Sequence, residues 1–300
     1  ENVAKSEAVS KIDNLSAGLA SVGIMVGYSY AQGSFEAVVD STGSIQAGGN
    51  INALNTYTSN AETIITPALG GVSASYTLTA MVNVAYAEAL TTSKAGLSGN
   101  GTIQGANVSA VNTGKAKANA RVMGGVFSGS MVQVVSNTVI AKLAVNQTAY
   151  ITGAHIIADA VKVLSLYNVN LTDISYADQM PVVPEMDTNY GAFARVGASV
   201  GSVSLVNVSA NAADALSIST VKAYISGASS AVTGTLDVHT FAASYAVANI
   251  ERPTASVSLA NIGVAVLLAN AGGTYEAYID STGARYDGLT ASTMRVGVGH

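Results

Sequence analysis

The fold class this chain predicts is all-β, a β-solenoid of about five units of ~54–60 residues with roughly three coils of ~18 residues in each. Three observations predict it. The first is a phrase that returns over almost the whole length: residues 36–43 read EAVVDSTG and residues 276–283 read EAYIDSTG. Weaker copies stand at 95–101 (AGLSGNG), 149–155 (AYITGAH) and 223–229 (AYISGAS). Marking the apolar residue before each polar turn gives Val39, Leu97, Ile151, Ile225 and Ile279, at steps of 58, 54, 74 and 54 residues. The second is period-two alternation of apolar and polar residues, the pattern of strands with one buried face. The third is composition. Hydrophobic residues make up 49% but charged residues only 10%, against about 25% in typical soluble domains. Ala, Gly, Ser, Thr, Asn and Val fill the difference, which suits stacked strands and tight turns.

Taken in order, residues 1–33 read as the tail of one unit and the start of the next, since NVAKSEAV at 2–9 echoes NVAYAEAL at 83–90. Each unit then opens on an alternating run. Val72, Ala74, Tyr76, Leu78, Ala80, Val82, Val84 and Tyr86 keep one parity against polar neighbours, which predicts that this apolar set faces the core. Runs at 203–211 (VSLVNVSAN) and 257–265 (VSLANIGVA) are its counterparts, and 22–30 and 132–141 are poorer versions. The Gly-marked phrase follows, and then a second alternating run, as at 45–51 and 103–108. Gly43, Gly48, Gly101, Gly105, Gly153, Gly227 and Gly283 fall near turns, where a missing Cβ permits positive φ. Proline occurs only at Pro67, Pro181, Pro184 and Pro253, as a stack that needs its backbone N–H groups requires. The long step in the third unit marks an insertion of roughly twenty residues at 168–189, NVNLTDISYADQMPVVPEMDTN, within one continuous solenoid over 1–300.

Several function classes are disfavoured. Net charge is −5, so the basic footprint of a nucleic-acid binder is missing. No Cys is present, which removes disulfides, thiolate metal sites and a Cys nucleophile, and fits an exported bacterial protein. No secretory signal is legible at Glu1, and no apolar run reaches the ~18 residues of a spanning helix. The chain starts and stops within its pattern, so a fragment of something longer is expected, with His300 as the stub of a tag. A transmembrane β-barrel also alternates, but it needs aromatic girdles; Trp is absent and the 14 Tyr do not recur at strand ends.

The candidate site is the insertion. It carries Asp173, Asp178, Glu185 and Asp187 with no Lys or Arg, together with Tyr176, Met180 and Met186. Insertions leave a solenoid at a turn and decorate one face. Asp173, Tyr176, Asp178, Met180, Glu185 and Asp187 are therefore the partner-binding candidates: acids for a basic patch or Ca²⁺, Tyr and Met for adaptable apolar contact. A plain solvated loop is the competing reading. Elsewhere the expectations are structural. Asp40 and Asp280 give way to Ser98, Thr152 and Ser226 in the other copies, so a short polar residue bonding its own turn explains all five. Asn83, Asn207 and Asn261 are candidates for an axial Asn ladder or for plain outward polar positions. His155 and His239 lack a partner at metal-ligand spacing and are expected at the surface or hydrogen-bonded. No cofactor, metal or catalytic residue is expected.

The stretches at 82–96 (VNVAYAEALTTSKAG) and 99–120 (GNGTIQGANVSAVNTGKAKANA), with EAYIDSTG, resemble the repeats of leukotoxin-type, filamentous-haemagglutinin-like exoprotein adhesins of anaerobic bacteria. The resemblance covers the chain as repeat style and includes no catalytic motif. It implies a right-handed parallel β-helix and an extracellular or bacterial cell-surface address. It also implies adhesion or toxicity towards host cells, through a host-cell or extracellular-matrix receptor. Beside that reading stand a β-helix enzyme acting on polysaccharide, which would need clustered acids in a groove, and a membrane-active toxin module, which would need a releasable amphipathic segment.

Overall fold

The computed structural model describes residues 1–14, 20–67, 73–74, 78–123, 126–170, 185–197, 200–251, 255–282 and 289–299. Among these there are strands and turns and no helix. In chain order the strands are β1 (Asn2–Asn14), β2 (Ala20–Ser41), β3 (Ile45–Gln46), β4 (Ile51–Pro67), β5 (Ser73–Ala74), β6 (Leu78–Gly99) and β7 (Thr102–Val122). Next come β8 (Val126–Thr152), β9 (His155–Tyr167), β10 (Val169–Asn170), β11 (Glu185–Met186), β12 (Gly191–Val196) and β13 (Val200–Ser226). The last are β14 (Ser229–Val232), β15 (Thr235–Ala242), β16 (Ala246–Ile250), β17 (Ala255–Asp280), β18 (Leu289–Thr290) and β19 (Thr293–Gly299).

They form two long parallel sheets. One, sheet B, stacks β2, β6, β8, β13 and β17 in that order, with β5 also on β8. The other, sheet A, stacks β1, β4, β7, β9, β14 and β18, with β3 and β12 on β7, β16 on β12, and β15 between β9 and β19. A transmembrane barrel pairs its strands antiparallel; these long ladders are parallel. The chain passes from one sheet to the other and back, so each strand lies on its own counterpart one unit away. Val39 pairs with Leu97, Leu97 with Ile151, Ile151 with Ile225, and Ile225 with Ile279. All five marker residues share one axial row. Leu97, Ile151 and Ile225 in its middle are fully buried.

The pairing corrects the expectation of three coils per unit. Coils of about 18 residues would pair residues that far apart. The observed partners are a whole unit apart, as in Tyr28 with Tyr86 and Tyr86 with Ile140. One circuit therefore consumes one unit. The reason is visible in β6, where burial alternates from Val82 to Ala95 and one strand runs through 22 residues without a turn.

The buried face is also the reverse of the one expected. On β6 the side chains that point inward are Thr79, Asn83, Ala85, Ala87, Ala89, Thr91, Ser93, Ala95 and Leu97, while Val82 faces out at 40% exposure. Val134, in the next rung of the same outward row as Ala80, is 37% exposed. In this part of β6 small Ala, Ser and Thr line the interior, and Val82 is left outside.

Two apolar clusters fill that interior. One holds Tyr57, Ala61, Ile65, Ala87, Ala118, Val139, Leu143 and Ala194. The other holds Leu97, Val108, Ile151, Ile156, Val163, Ile225 and Val238. Between them runs a polar seam that ties sheet to sheet. Asn55 donates to the Phe35 carbonyl (3.1 Å) and Asn112 to the Thr148 carbonyl (2.9 Å). Thr240 donates to the Glu276 carbonyl at 2.7 Å. Gln147 of β8 reaches across to three strands of sheet A. It accepts from the Tyr57 hydroxyl (2.9 Å) and donates to the Asn112 and Leu166 carbonyls (2.8 and 3.0 Å) and to Ser165 Oγ (3.2 Å). Buried polar groups so paired escape the cost of desolvation without a partner.

An axial Asn ladder exists, but its members are Asn83, Asn137 and Asn211 (2.7 and 2.8 Å). Asn207 and Asn261 pair with each other in a different row. Of the expected positive-φ glycines, Gly153 and Gly227 have it, in neighbouring turns of one row. Gly101 is needed for another reason: a Cβ there would meet the Gly43 carbonyl oxygen at 1.9 Å. Gly283 lies outside the described residues. Asp280 behaves as expected, accepting from the Thr282 N–H at 2.9 Å and from its hydroxyl.

Candidate functional site at the neck of the insertion

The insertion departs where the sheet A ladder is interrupted. β7 runs unbroken from Gly114 to Lys117, but its partners jump from Tyr167 to Gly191. The chain leaves through Asn168 at φ 51°, a left-handed conformation that Asn tolerates better than most residues. It returns through Gly191 at φ 142°, where a Cβ would lie 2.4 Å from the Tyr245 carbonyl oxygen. Asn168 also fills the gap it opens. Its N–H donates to the Gly114 carbonyl (2.9 Å), its Oδ1 accepts from the Ala116 N–H (2.9 Å) and its Nδ2 donates to the Ala116 carbonyl (3.4 Å). The side-chain amide thus stands in for the peptide group missing from the rung.

The neck is then tied across. Val169 and Asn170 of β10 pair antiparallel with Met186 and Glu185 of β11. The Asp187 N–H donates to the Asn168 carbonyl at 2.9 Å. The buried Asp187 carboxylate accepts from Lys115 Nζ (2.6 Å), from the Asn189 N–H (3.2 Å) and from Asn189 Nδ2 (3.0 Å). Lys115 also touches Asn170 Oδ1 (3.4 Å), and its ammonium lies 5.0 Å from the centroid of the Tyr190 ring. Burial opposes ionisation of Asp187, but the Lys115 and Asn189 hydrogen bonds and the Lys115 charge together outweigh it. They hold the carboxyl below its ordinary value.

Of the six sequence-derived candidates, Asp173, Tyr176, Asp178 and Met180 lie outside the described residues. Glu185 is placed by its backbone pairing with Asn170. Asp187 is turned into the protein and engaged by Lys115, so it closes the neck and is not presented to solvent. Lys115, Asn168 and Tyr190 did not stand out in the sequence, because the register that brings Lys115 to the insertion depends on partners 72 residues apart. Along β12 the surface continues with charge over aromatic rings. The Lys117 ammonium is 5.5 Å and the Arg195 guanidinium 5.2 Å from the Phe193 centroid, and Phe193 meets Tyr245 edge-on at 5.8 Å.

A second polar group lies on the same sheet. Lys162, Asp237 and Arg295 occupy one row of β9, β15 and β19. Arg295 grips Asp237 through Nε (2.7 Å) and Nη2 (3.3 Å). Burial draws the Lys162 pKa down, against the pull of Asp237. His239, two residues on, is only 2% exposed; its Nε2 has no hydrogen-bond partner and its ring stacks on Phe241 at 5.8 Å. Burial lowers its pKa, with Asp237 opposing and Arg295 and Lys162 adding to the fall. The expectation of a surface or hydrogen-bonded histidine holds at His155, whose Nδ1 meets Ser229 Oγ at 2.8 Å, and fails at His239. Beside this row Leu164, Leu166, Val169 and Phe241 form a small apolar cluster of their own. Among the described residues no group of three or more His, Asp or Glu could hold a metal ion.

No family model, no curated protein and no solved structure matches this chain.

Proposed function

We propose that the chain is a structural and interaction segment of a large secreted or cell-surface bacterial exoprotein, and that it attaches to host cells or matrix. In this reading it is a right-handed parallel β-helix of five units, and the insertion is its adhesive element. The observation that carries it is the single row through Val39, Leu97, Ile151, Ile225 and Ile279. The recurring phrases are thereby accounted for as stacking units and not as parts of a catalytic pocket. Right-handedness is supported by the general preference of crossover connections between parallel strands. The neck supports the role of the insertion, because Asn168, Lys115 and Asp187 fix its two ends to the sheet A wall.

The test compares the intact chain with a variant carrying Asp173→Asn, Tyr176→Ala, Asp178→Asn and Met180→Ala. The neck residues are left alone, so the rungs should remain. Saturable binding to host cells or matrix, lost in the variant, is the expected result. Equal binding by both removes the insertion from the reading. Reducing-end release from a polysaccharide panel would replace it with the enzyme, and dye leakage from liposomes with the toxin module.

A further inference from the structure

The two walls of the stack carry opposite chemistry. On sheet A, the residues of β7 that alternate with the buried Ala116, Ala118 and Ala120 are Lys115, Lys117, Asn119 and Arg121. On sheet B, the residues of β6 that alternate with the buried Thr79, Asn83 and Ala85 include Leu78, Ala80, Val82, Val84 and Tyr86. Each of these five stands in an outward row that runs through β8, β13 and β17, and back through β2 from Val22 onward. Every position of those rows is aliphatic or aromatic except Ser136, Thr138 and Asp214. Asp214 lies in the row of Tyr86, which borders the row of Glu88 and Lys142. The strands β6, β8 and β13 are each paired on both sides. The exposure of Leu78, Val82 and Val134 on them therefore belongs to the side wall and not to a tip of the stack. With rows about 6.7 Å apart and rungs about 4.8 Å apart, the apolar wall measures about 750 Å². The largest apolar patch on a typical monomer is about 300–600 Å². Each partner in a standard protein interface contributes about 800 Å².

We propose that this wall is an interaction surface whose occupant is a second copy of the chain, packed side by side, sheet B against sheet B. Its period selects such a partner. Two walls with the same rung spacing of about 4.8 Å keep their side chains in step over every rung they share, at the ~10 Å separation of facing sheets. A surface with another spacing falls out of step. Charge points the same way. Among the described residues the five rows hold no Lys or Arg to meet anionic lipid headgroups, and their single acid sits in the outermost row, so like faces meet without strong repulsion. The contact is isologous. A two-fold axis through the middle of the wall sets Ser136, in the third row and the third rung, opposite its own copy. The contact runs along the side of the stack, so it is equally open to a segment within a longer rod.

The experiment is sedimentation of the full chain over a concentration series, with Val134→Lys and Val82→Lys as separate variants, each checked for unchanged circular dichroism. The expected result is a mass that rises with concentration and saturates at a dimer. Each lysine puts an unpaired charge into the contact twice over and should weaken it at least about tenfold. Gln104→Lys, exposed on sheet A, should leave it unchanged. Ser136→Cys supplies the sole thiol of a chain without cysteine and should yield a disulfide-linked dimer on mild oxidation, whereas Gln104→Cys should not. A monomer at every concentration, association as strong in both lysine variants as in the parent, or crosslinking as ready through Gln104→Cys as through Ser136→Cys would overturn the proposal. Binding of the monomer to liposomes that both lysines abolish would overturn it too, and would assign the wall to a lipid surface.

Discussion

Replacing Gln147 tests whether the polar seam holds the two sheets together. Gln147 is fully buried, and its amide meets Tyr57, Asn112, Ser165 and Leu166, all on the opposite sheet. Gln147→Ala leaves the Tyr57 hydroxyl without its acceptor. Burial pushes that phenol's pKa well up, so it stays a neutral donor with nothing to donate to. One buried unsatisfied group costs about 1–3 kcal/mol. The space left by the removed side chain adds about 2 kcal/mol on the scale of core truncations. Together the loss should be about 3–5 kcal/mol, read as a fall in urea midpoint at unchanged slope. Gln147→Met refills most of the volume and should recover the cavity part, leaving about 1–3 kcal/mol. Adding Tyr57→Phe to Gln147→Met removes the stranded hydroxyl and should return about 1 kcal/mol. That positive coupling is expected only if the two side chains are bonded. Strict additivity of Tyr57→Phe and Gln147→Met, or a Gln147→Ala loss below about 0.5 kcal/mol, would refute the seam as a stabilising device.

Other consequences can be measured in the same way. Gly191→Ala puts a methyl group against the Tyr245 carbonyl at a φ of 142°, and should destabilise by at least about 1–3 kcal/mol, seen as faster amide exchange in β12 and β16. Asp187 has a folded pKa below its unfolded one, so its stabilisation is present above the ordinary carboxylate value near 4 and fades as pH falls through the depressed folded value. Asp187→Asn should therefore cost stability at pH 7 and lessen the loss on acidification, as followed by melting temperature against pH. His239 runs the other way. Its folded pKa is lowered, so the unfolded chain takes up the proton first and stability should decline as pH drops below about 6.5. His239→Leu should flatten that part of the profile, and an unchanged slope would remove His239 as its source.

Much of the architecture was legible because parallel stacking copies residue type along a row. The DSTG phrases, the steps between them and the longer third step all reappear as pairing offsets. What failed was the subdivision of the unit and the sense of its faces. Alternation alone does not say which parity is inside. In β6 the apolar parity that caught the eye was the outer one, while Ala85, Ala87 and Ala89 made the core. Dividing the unit by three ignored the unbroken alternation from Val82 to Ala95, which leaves no place for a turn. At the site, the acids of the insertion were legible as composition, but Asp187's commitment to Lys115 was not. It exists only once β7 and the returning chain are in register. Gln147 belongs to no motif in the sequence, because all four of its side-chain partners lie on the other sheet.

That each circuit consumes a whole repeat bears on how such a chain can change length. Deleting or duplicating one such block alters the height by a single rung, about 4.8 Å, and brings like rows together at the new joint. The row of Ala37, Ala95, Ala149, Ala223 and Ala277 would close over any such change without a mismatch. Slippage or unequal recombination between the recurring phrases would then yield shorter and taller alleles that still fold, whereas a shift by an odd number of residues would exchange the inward and outward side chains of the strands it moves.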